Sequence, residues 1–266
     1  MSLTDWVSFD SSLFDLLFDK PPFNLRGELK AAPLTNHYRT VGTAFDYAMR
    51  LLVSRINYAF VNDFPIVAEH GIKGNKIRQK FIADFDENRK AFLNGELPLF
   101  DLLPDCVVLA KLEAVFRSSR DFPNSEIFYV DDDDVRDLNN LIGLVEHGLF
   151  TAEKQCVLNP TFGQSSLDIG GADADFIVDG VLIDIKTTKF LKFTREYFRQ
   201  LMGYYVLNLR EGQMYGELER LGIYYSRFGT VFTFPAPDYY YRIERKGKIL
   251  DLYEAVEESI SEYQEA

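Results

Sequence analysis

The chain contains few of the residues that build disulfide frameworks and zinc sites. Its 266 residues include two cysteines and three histidines. Cys106 and Cys156 lie in apolar runs, and free cysteine is among the most buried residue types, so both are predicted to be buried thiols. His37, His70 and His147 lack the spacing of metal ligands. The composition therefore favours neither disulfide bonds nor a zinc site.

Long apolar segments and excess positive charge are also lacking. No apolar run approaches the ~20 residues that cross a bilayer, and no basic segment leads into an apolar one at the N terminus. We therefore expect a soluble, cytoplasmic protein without a membrane partner. Acidic residues (41) outnumber lysine and arginine (29), which gives a formal net charge of −12. This charge disfavours a broadly basic nucleic-acid binder but allows contact through a local basic strip and metal ions.

Helical spacing dominates the first half of the chain, and strand-like patterns begin near Glu153. The aspartates at 131–134 are interpreted as helix-capping acids rather than metal ligands, because carboxylates stabilise a helix N terminus. The predicted helices cover about residues 35–58, 104–116, 131–147 and 194–210, with an acidic helix from about residue 249. The predicted strands cover 155–158, 221–226 and 230–234, and 159–166 is predicted to be a turn-rich link.

The stretch from Gly170 to Thr188 is predicted to be a β-hairpin. Asp179-Gly180 between apolar runs is typical of a two-residue type I′ turn, which needs positive φ at both positions. The register follows from the turn and pairs Val178 with Val181, Ile177 with Leu182, Phe176 with Ile183, Asp175 with Asp184, Ala174 with Ile185 and Asp173 with Lys186. One face would be apolar, with Ala174, Phe176, Ile183 and Ile185.

The other face of this hairpin carries charged side chains. Directly opposed carboxylates at Asp175 and Asp184 would repel each other, and Mg²⁺ or Mn²⁺ is a natural counter-charge for oxygen ligands. Lys186 lies two residues after Asp184 and projects from the same face. This set suits phosphodiester hydrolysis, because a divalent metal lowers the pKa of bound water and stabilises charge on the phosphate. Lys186 could orient or deprotonate that water, or neutralise the developing charge.

Asp175, the run Asp184-Ile185-Lys186-Thr187, and Gln200 and Tyr204 on the next helix resemble the PD-(D/E)xK nuclease superfamily, in particular its RecB-like exonuclease branch. The resemblance covers about residues 131–234. It implies an α/β fold, with a restriction-endonuclease-like αβββαβ core and a mixed central sheet after a largely helical N-terminal region. It also implies an exonuclease-like, Mg²⁺-dependent (or Mn²⁺-dependent) enzyme acting on DNA. In that family the two acids and the lysine bind metal and activate water, and the Gln/Tyr helix flanks the site.

Three further acids need an interpretation. The run from Gly42 to Asp46 resembles the N-terminal motif of the family, and Asp46 stands where RecB-like members usually present a histidine metal ligand. Asp46 is therefore a candidate metal ligand, or else a surface acid paired with Arg50 four residues on. Asp173 would pair with Lys186 or serve as an outer ligand, and Glu153 would complete the carboxylate cluster.

Basic residues follow the hairpin closely. Lys189, Lys192, Arg195 and Arg199 are candidate contacts for the phosphate backbone, or else form a solvated helix start. Arg227 is a weaker candidate for the same role.

The predicted organisation is a helical region over 1–130, a nuclease-like core over 131–238, and a C-terminal acidic helix over 239–266 packed on the same domain. Two alternatives stay open. The chain could be a catalytically weak or inactive nuclease-fold module that binds nucleic acid or a protein partner. It could also be an unrelated globular protein, in which case the repulsion between Asp175 and Asp184 would have no counter-charge.

Overall fold

The structure, a computed structural model, describes residues 2–61, 63–237 and 242–266. The predicted boundary between residues 238 and 239 lies outside these ranges. The helices are α1 (Leu3–Phe9), α2 (Ser11–Leu17), α3 (Tyr38–Ile56), α4 (Lys76–Leu93), α5 (Leu103–Ser118), α6 (Asn124–Ile127), α7 (Asp132–Ile142), α8 (Gly163–Asp168), α9 (Arg195–Arg210) and α10 (Leu252–Glu265). The strands are β1 (Cys156–Leu158), β2 (Phe176–Val178), β3 (Val181–Lys186), β4 (Arg220–Tyr225), β5 (Thr230–Pro235), β6 (Arg242–Arg245) and β7 (Lys248–Asp251).

Five strands form a mixed central sheet in the order β1-β2-β3-β4-β5. All neighbours are antiparallel except β3 and β4, which run parallel and are connected through α9. A parallel pair needs a long crossover, and a helix is its usual form. The predicted α/β class, with a helical N-terminal region and a mixed central sheet, is therefore confirmed.

Helices cover both faces of the sheet. Alternation along β3 sends Leu182 to one side, where it joins a core built from α1, α2, α9 and α10. Ile183 and Ile185 point to the other side and join a core built mainly from α3, α5 and α7. The middle strand is therefore buried on both faces, as its apolar sequence requires.

The hairpin turn has the predicted conformation. Asp179 and Gly180 have φ values of 46° and 77°, and three pairs form as predicted, from Val178 with Val181 to Phe176 with Ile183. The Asp179 carboxylate also accepts the backbone N–H groups of residues 153, 154 and 155 at 2.6–2.8 Å. This turn therefore joins the start of β1 to the hairpin.

Several boundaries differ from the sequence prediction. Helix α7 ends at Ile142, with Gly143 as its C-cap, and not near residue 147 as predicted. The apolar pattern that suggested a longer helix continues because Leu144, Val145 and Phe150 pack on the same core. Part of the predicted link 159–166 is helix α8, and the β6–β7 hairpin precedes the C-terminal helix, which begins at Leu252.

Other features agree with the prediction. Asp131 caps α7 by accepting from the N–H of Asp133, as the capping interpretation requires. Cys106 and Cys156 are free and buried. Within the described ranges, no helix is long and apolar enough to cross a membrane.

Candidate active site

Strand β3 and helix α9 bring together the residues of the predicted catalytic set. Asp184 and Lys186 leave β3 on the same face as Leu182, which is the face covered by α9. The Thr194 side chain accepts the N–H of Tyr197 and so fixes the start of α9. Because Gln200 and Tyr204 are four residues apart, both lie on the side of α9 that meets β3.

A continuous chain of polar contacts joins these side chains. Lys186 Nζ lies 2.6 Å from Asp184 Oδ2 and donates to Gln200 Oε1 at 3.0 Å. Gln200 Nε2 donates to the Tyr204 hydroxyl at 3.0 Å, and this hydroxyl donates to the carbonyl of Asp173 at 2.8 Å. The ammonium group also lies 5.0 Å from the centre of the Tyr197 ring. Lys186 is thus held on several sides.

Asp175 lies beside this chain, but not through the predicted strand register. The ladder between β2 and β3 ends at Phe176 and Ile183, so the three pairs predicted beyond it do not form. The alternation breaks at Asp175, because Ala174 packs in the α9-side core while Phe176 packs in the opposite one. Asp173 instead forms a bridge with Thr161, and Asp175 Oδ2 accepts the N–H of Ile185 at 2.6 Å.

Asp46 approaches the same acids from α3. It lines a shallow pocket of about 300 Å³ together with Gly42, Thr43, Ile185 and Thr187. A Cβ atom added at Gly42 would lie 3.9 Å from the Thr187 side chain, so α3 passes close to the end of β3. Asp46 and Arg50, both within the described ranges, do not form the ion pair that was the predicted alternative. Arg50 instead donates to the Pro65 carbonyl at 3.3 Å.

Burial and mutual repulsion perturb the ionisation of this cluster. Burial and the neighbouring Asp184 raise the pKa of Asp175 to about 7. Burial and Asp175 raise the pKa of Asp46 well above its ordinary value. Burial opposes the charged form of Lys186, but Asp184 and Asp175 outweigh it and raise the pKa of the ammonium group. Lys186 is therefore a cation at neutral pH.

The chemistry of these donors fits a hard divalent cation. Asp184 is 4% exposed, and its Oδ2 makes no hydrogen bond of normal geometry although Lys186 Nζ lies within ion-pair distance. One ammonium group thus faces three acids, because Asp175 and Asp46 lie near Asp184, and carboxylate oxygens are the ligands that Mg²⁺ and Mn²⁺ prefer. The acids do not, however, form a complete set of metal ligands: the described residues contain no group of three or more His, Cys, Asp or Glu side chains placed to hold a metal ion.

A partly buried polar network near the site, formed by residues of α3 and α5, was not predicted from the sequence. Tyr47 donates its hydroxyl proton to Glu113 at 2.7 Å, and Glu113 accepts from Arg117 at 2.6 Å. Arg117 also donates to the Asp173 carboxylate at 3.1 Å, so Asp173 does not pair with Lys186 as predicted. The spacing of Glu113 and Arg117, four residues apart on a helix, is the signal that could have indicated this pair.

The predicted substrate contacts fall into two groups. Lys189 and Lys192 are exposed, each with its ammonium group 5.5 Å from the centre of the Phe190 ring. Arg199 donates twice to Asp15 of α2, at 3.1 and 2.7 Å, and Arg195 lies 3.4 Å from the same carboxylate. The two arginines thus hold α2 against α9.

Two weaker candidates lie elsewhere. Arg227 is 1% exposed and makes a bidentate pair with Asp137 at 2.8 and 2.9 Å, which removes it from contact with a substrate. Glu153 lies at the turn end of the hairpin, where its N–H is bound by Asp179, so it does not join the acids at the opposite end.

Comparison of the chain with models of known protein families, with curated proteins and with solved structures finds no match.

Proposed function

We propose that the chain is a metal-dependent nuclease that hydrolyses phosphodiester bonds of DNA. The observation that carries this proposal is the contact chain from Asp184 through Lys186 and Gln200 to Tyr204, with Asp175 beside it. A restriction-endonuclease-like core is part of the same proposal. Three antiparallel strands, a helix and a parallel fourth strand support it, because this is the order that such a core requires.

The roles of the residues follow from their contacts. Asp175 and Asp184 would hold the cation, with Asp46 approaching from α3. When bound, Mg²⁺ or Mn²⁺ supplies positive charge at the phosphate and lowers the pKa of a water molecule. Because Asp184 and Asp175 favour the charged form of Lys186 and raise its pKa in the metal-free chain, we assign it the stabilisation of negative charge on the phosphate during attack, rather than proton removal.

Gln200 and Tyr204 act as positioning residues. Gln200 accepts a hydrogen bond from Lys186, and Tyr204 fixes the amide of Gln200 while bonding to the Asp173 carbonyl. This arrangement holds the ammonium group at one place on the edge of the site, and such preorganised charge is more effective than charge that must reorient during the reaction.

A second function is a nuclease-fold module without turnover that binds nucleic acid or a protein. One observation favours it: within the described ranges the acids do not form a three-ligand group, and Lys186 lies against Asp184. Under this alternative, metal would bind weakly or not at all, and DNA would remain intact.

The test uses end-labelled single-stranded DNA, linear duplex DNA, circular DNA and RNA, each incubated with Mg²⁺, Mn²⁺ or EDTA. We expect cleavage of DNA that requires metal and is lost in Asp184→Asn, since this change removes a ligand charge while keeping the side-chain shape. The exposed substitution Asp132→Asn is the matched control and should cleave as the wild type does. Cleavage that persists in EDTA would contradict the proposal, and metal binding without cleavage would favour the second function.

A further inference from the structure

The outer edge of β1 is an open edge of the central sheet. β1 is the terminal strand of the sheet, and its one neighbour among the described strands is β2. The N–H of Asp179 bonds to the carbonyl of Gln155, and the N–H of Asn159 bonds to that of Asp175. Hydrogen-bonded pairs alternate along an antiparallel ladder, so the backbone groups of Cys156 and Leu158 point away from β2.

A recess of about 580 Å³ lies along this edge. Phe60, Val61, Pro65 and Tyr215 contribute apolar and aromatic side chains to its lining. Residues 155–161, which include all of β1, also line it. The edge strand therefore borders a recess rather than a flat surface.

Asn159 places an unused hydrogen-bond acceptor in this recess. The residue is 5% exposed and lines the recess, and its side-chain Oδ1 has no hydrogen-bond partner among the described residues. Its φ of 48° is left-handed, a conformation that asparagine tolerates better than most side chains. A buried acceptor without a partner is unusual in a folded protein, and a hydrogen-bond donor on a bound ligand would satisfy it.

The charge of the recess indicates the chemistry of the ligand. Asp63 is the one charged side chain among the described residues that line it. Nucleic-acid grooves rely on lysine and arginine, and neither occurs among the described residues of this lining. Free strand N–H and C=O groups in an apolar groove instead match the backbone of an extended polypeptide.

We propose that this recess binds an extended segment of a partner protein by β-strand addition. The segment pairs with Cys156 and Leu158, donates a hydrogen bond to Asn159, and alternates apolar side chains with a lysine or arginine that faces Asp63. The recess shares no residue with the proposed nuclease site, so its test stands whether or not the chain cleaves DNA.

The experiment begins with a phage-displayed library of random seven-residue peptides selected against the full chain. A synthetic fluorescent peptide of the enriched sequence is then titrated by anisotropy. We expect alternating apolar residues with a basic position, and at least fivefold weaker binding to both Asn159→Gly and Asp63→Asn. Glycine suits the left-handed backbone at residue 159 and removes the acceptor. Asp132→Asn is the matched control and should bind as the wild type does.

Hydrogen exchange locates the bound peptide. We expect slower exchange of the Cys156 and Leu158 amides when the peptide is present, because a new strand would accept their hydrogen bonds. Thermal unfolding checks that each variant is folded, and the exposed change at Asp63 keeps the test valid if Asn159→Gly unfolds. The proposal is overturned if no peptide is enriched, if Asp63→Asn binds as tightly as the wild type, or if protection falls elsewhere. It is also overturned if a single-stranded oligonucleotide, rather than a peptide, protects these two amides.

Discussion

Replacing Asp175 by asparagine should stabilise the metal-free protein, although it removes a proposed metal ligand. Asp175 is placed near Asp184 and Asp46, and burial together with Asp184 raises its pKa to about 7. An asparagine has nearly the same shape and can still accept the N–H of Ile185, which the carboxylate now accepts at 2.6 Å. The variant therefore keeps the contact and loses the repulsion.

The size of the effect follows from this pKa. An ordinary aspartate has a pKa of about 3.9, and each tenfold change in proton affinity corresponds to about 1.4 kcal/mol. A carboxyl group with a pKa of about 7 in the folded chain therefore lowers the free energy of unfolding by at most about 4 kcal/mol once it is ionised in both states. Asp175 is partly exposed, and water reduces this figure, so we expect a gain of about 1–3 kcal/mol in the variant.

The sign of the pH dependence is fixed. Below about pH 4 the carboxyl group is protonated in both states, and the wild type and Asp175→Asn should be about equally stable. Between about pH 4 and pH 7 the unfolded chain has lost a proton that the folded chain keeps, so the wild type becomes progressively less stable than the variant. Above about pH 7 the difference should stay constant.

Urea unfolding in EDTA, from pH 4 to pH 8.5, measures this difference, with Asp132→Asn as the control for removal of an exposed acid. Added Mg²⁺ should then stabilise the wild type more than the variant, because ligand binding to the folded state raises its stability. A variant that is less stable than the wild type at pH 8, or a difference that does not vary with pH, would refute the reasoning.

Three further predictions concern the framework around the site. Asp137→Asn should lower the free energy of unfolding in urea by about 3–5 kcal/mol, because it leaves the buried guanidinium of Arg227 without its counter-charge; a loss under about 1 kcal/mol would contradict this. Burial opposes ionisation of Asp179, but hydrogen bonds from three backbone N–H groups outweigh it and lower the pKa of the carboxyl group. Asp179→Asn should therefore lower the free energy of unfolding by about 1–3 kcal/mol at pH 7. In urea unfolding at several pH values, this cost should disappear as the pH falls below about 4, through the folded-state pKa of Asp179, and a constant cost would count against the assignment. Gly71→Ala should lower the melting temperature strongly, because the new Cβ would clash with the backbone oxygen of Leu112 on α5. An unchanged melting temperature would contradict this prediction.

The sequence was sufficient for features that depend on local rules. Asp179-Gly180 determines a turn because both residues accept positive φ, and the turn sets the register of the next three pairs. Asp131 determines the start of α7 because a carboxylate caps the first N–H groups of a helix. These predictions needed no knowledge of the rest of the chain.

The sequence was insufficient where a distant segment changes a local pattern. The hairpin register fails at Asp175 because the chain from Asn159 to Thr161 bonds to residues 173–175 and ends the alternation. The same limit explains Arg227, whose partner Asp137 lies ninety residues away. Charge spacing along the chain cannot distinguish an arginine at the surface from one buried with a distant acid.

The sequence indicated only those residues of the candidate site that lie on neighbouring elements of the chain. The order of Asp184, Lys186, Gln200 and Tyr204 depends on a strand followed by its crossover helix, and these elements are local in sequence. The network of Tyr47, Glu113 and Arg117 comes from two other helices, so no pattern near the hairpin could indicate it.

The most direct test of the central claim is the single-turnover rate of DNA cleavage in Mg²⁺ by the wild type, Lys186→Met and Lys248→Met. Methionine keeps most of the lysine chain but removes the charge at the site, and Lys248 is an exposed lysine on β7. We predict a loss of about 10²–10³-fold for Lys186→Met, as for the removal of one preorganised group that stabilises charge in the transition state, and no change for Lys248→Met. Equal cleavage rates in all three proteins, or no cleavage by the wild type with any of the four substrates, would contradict the assignment of this site as a nuclease.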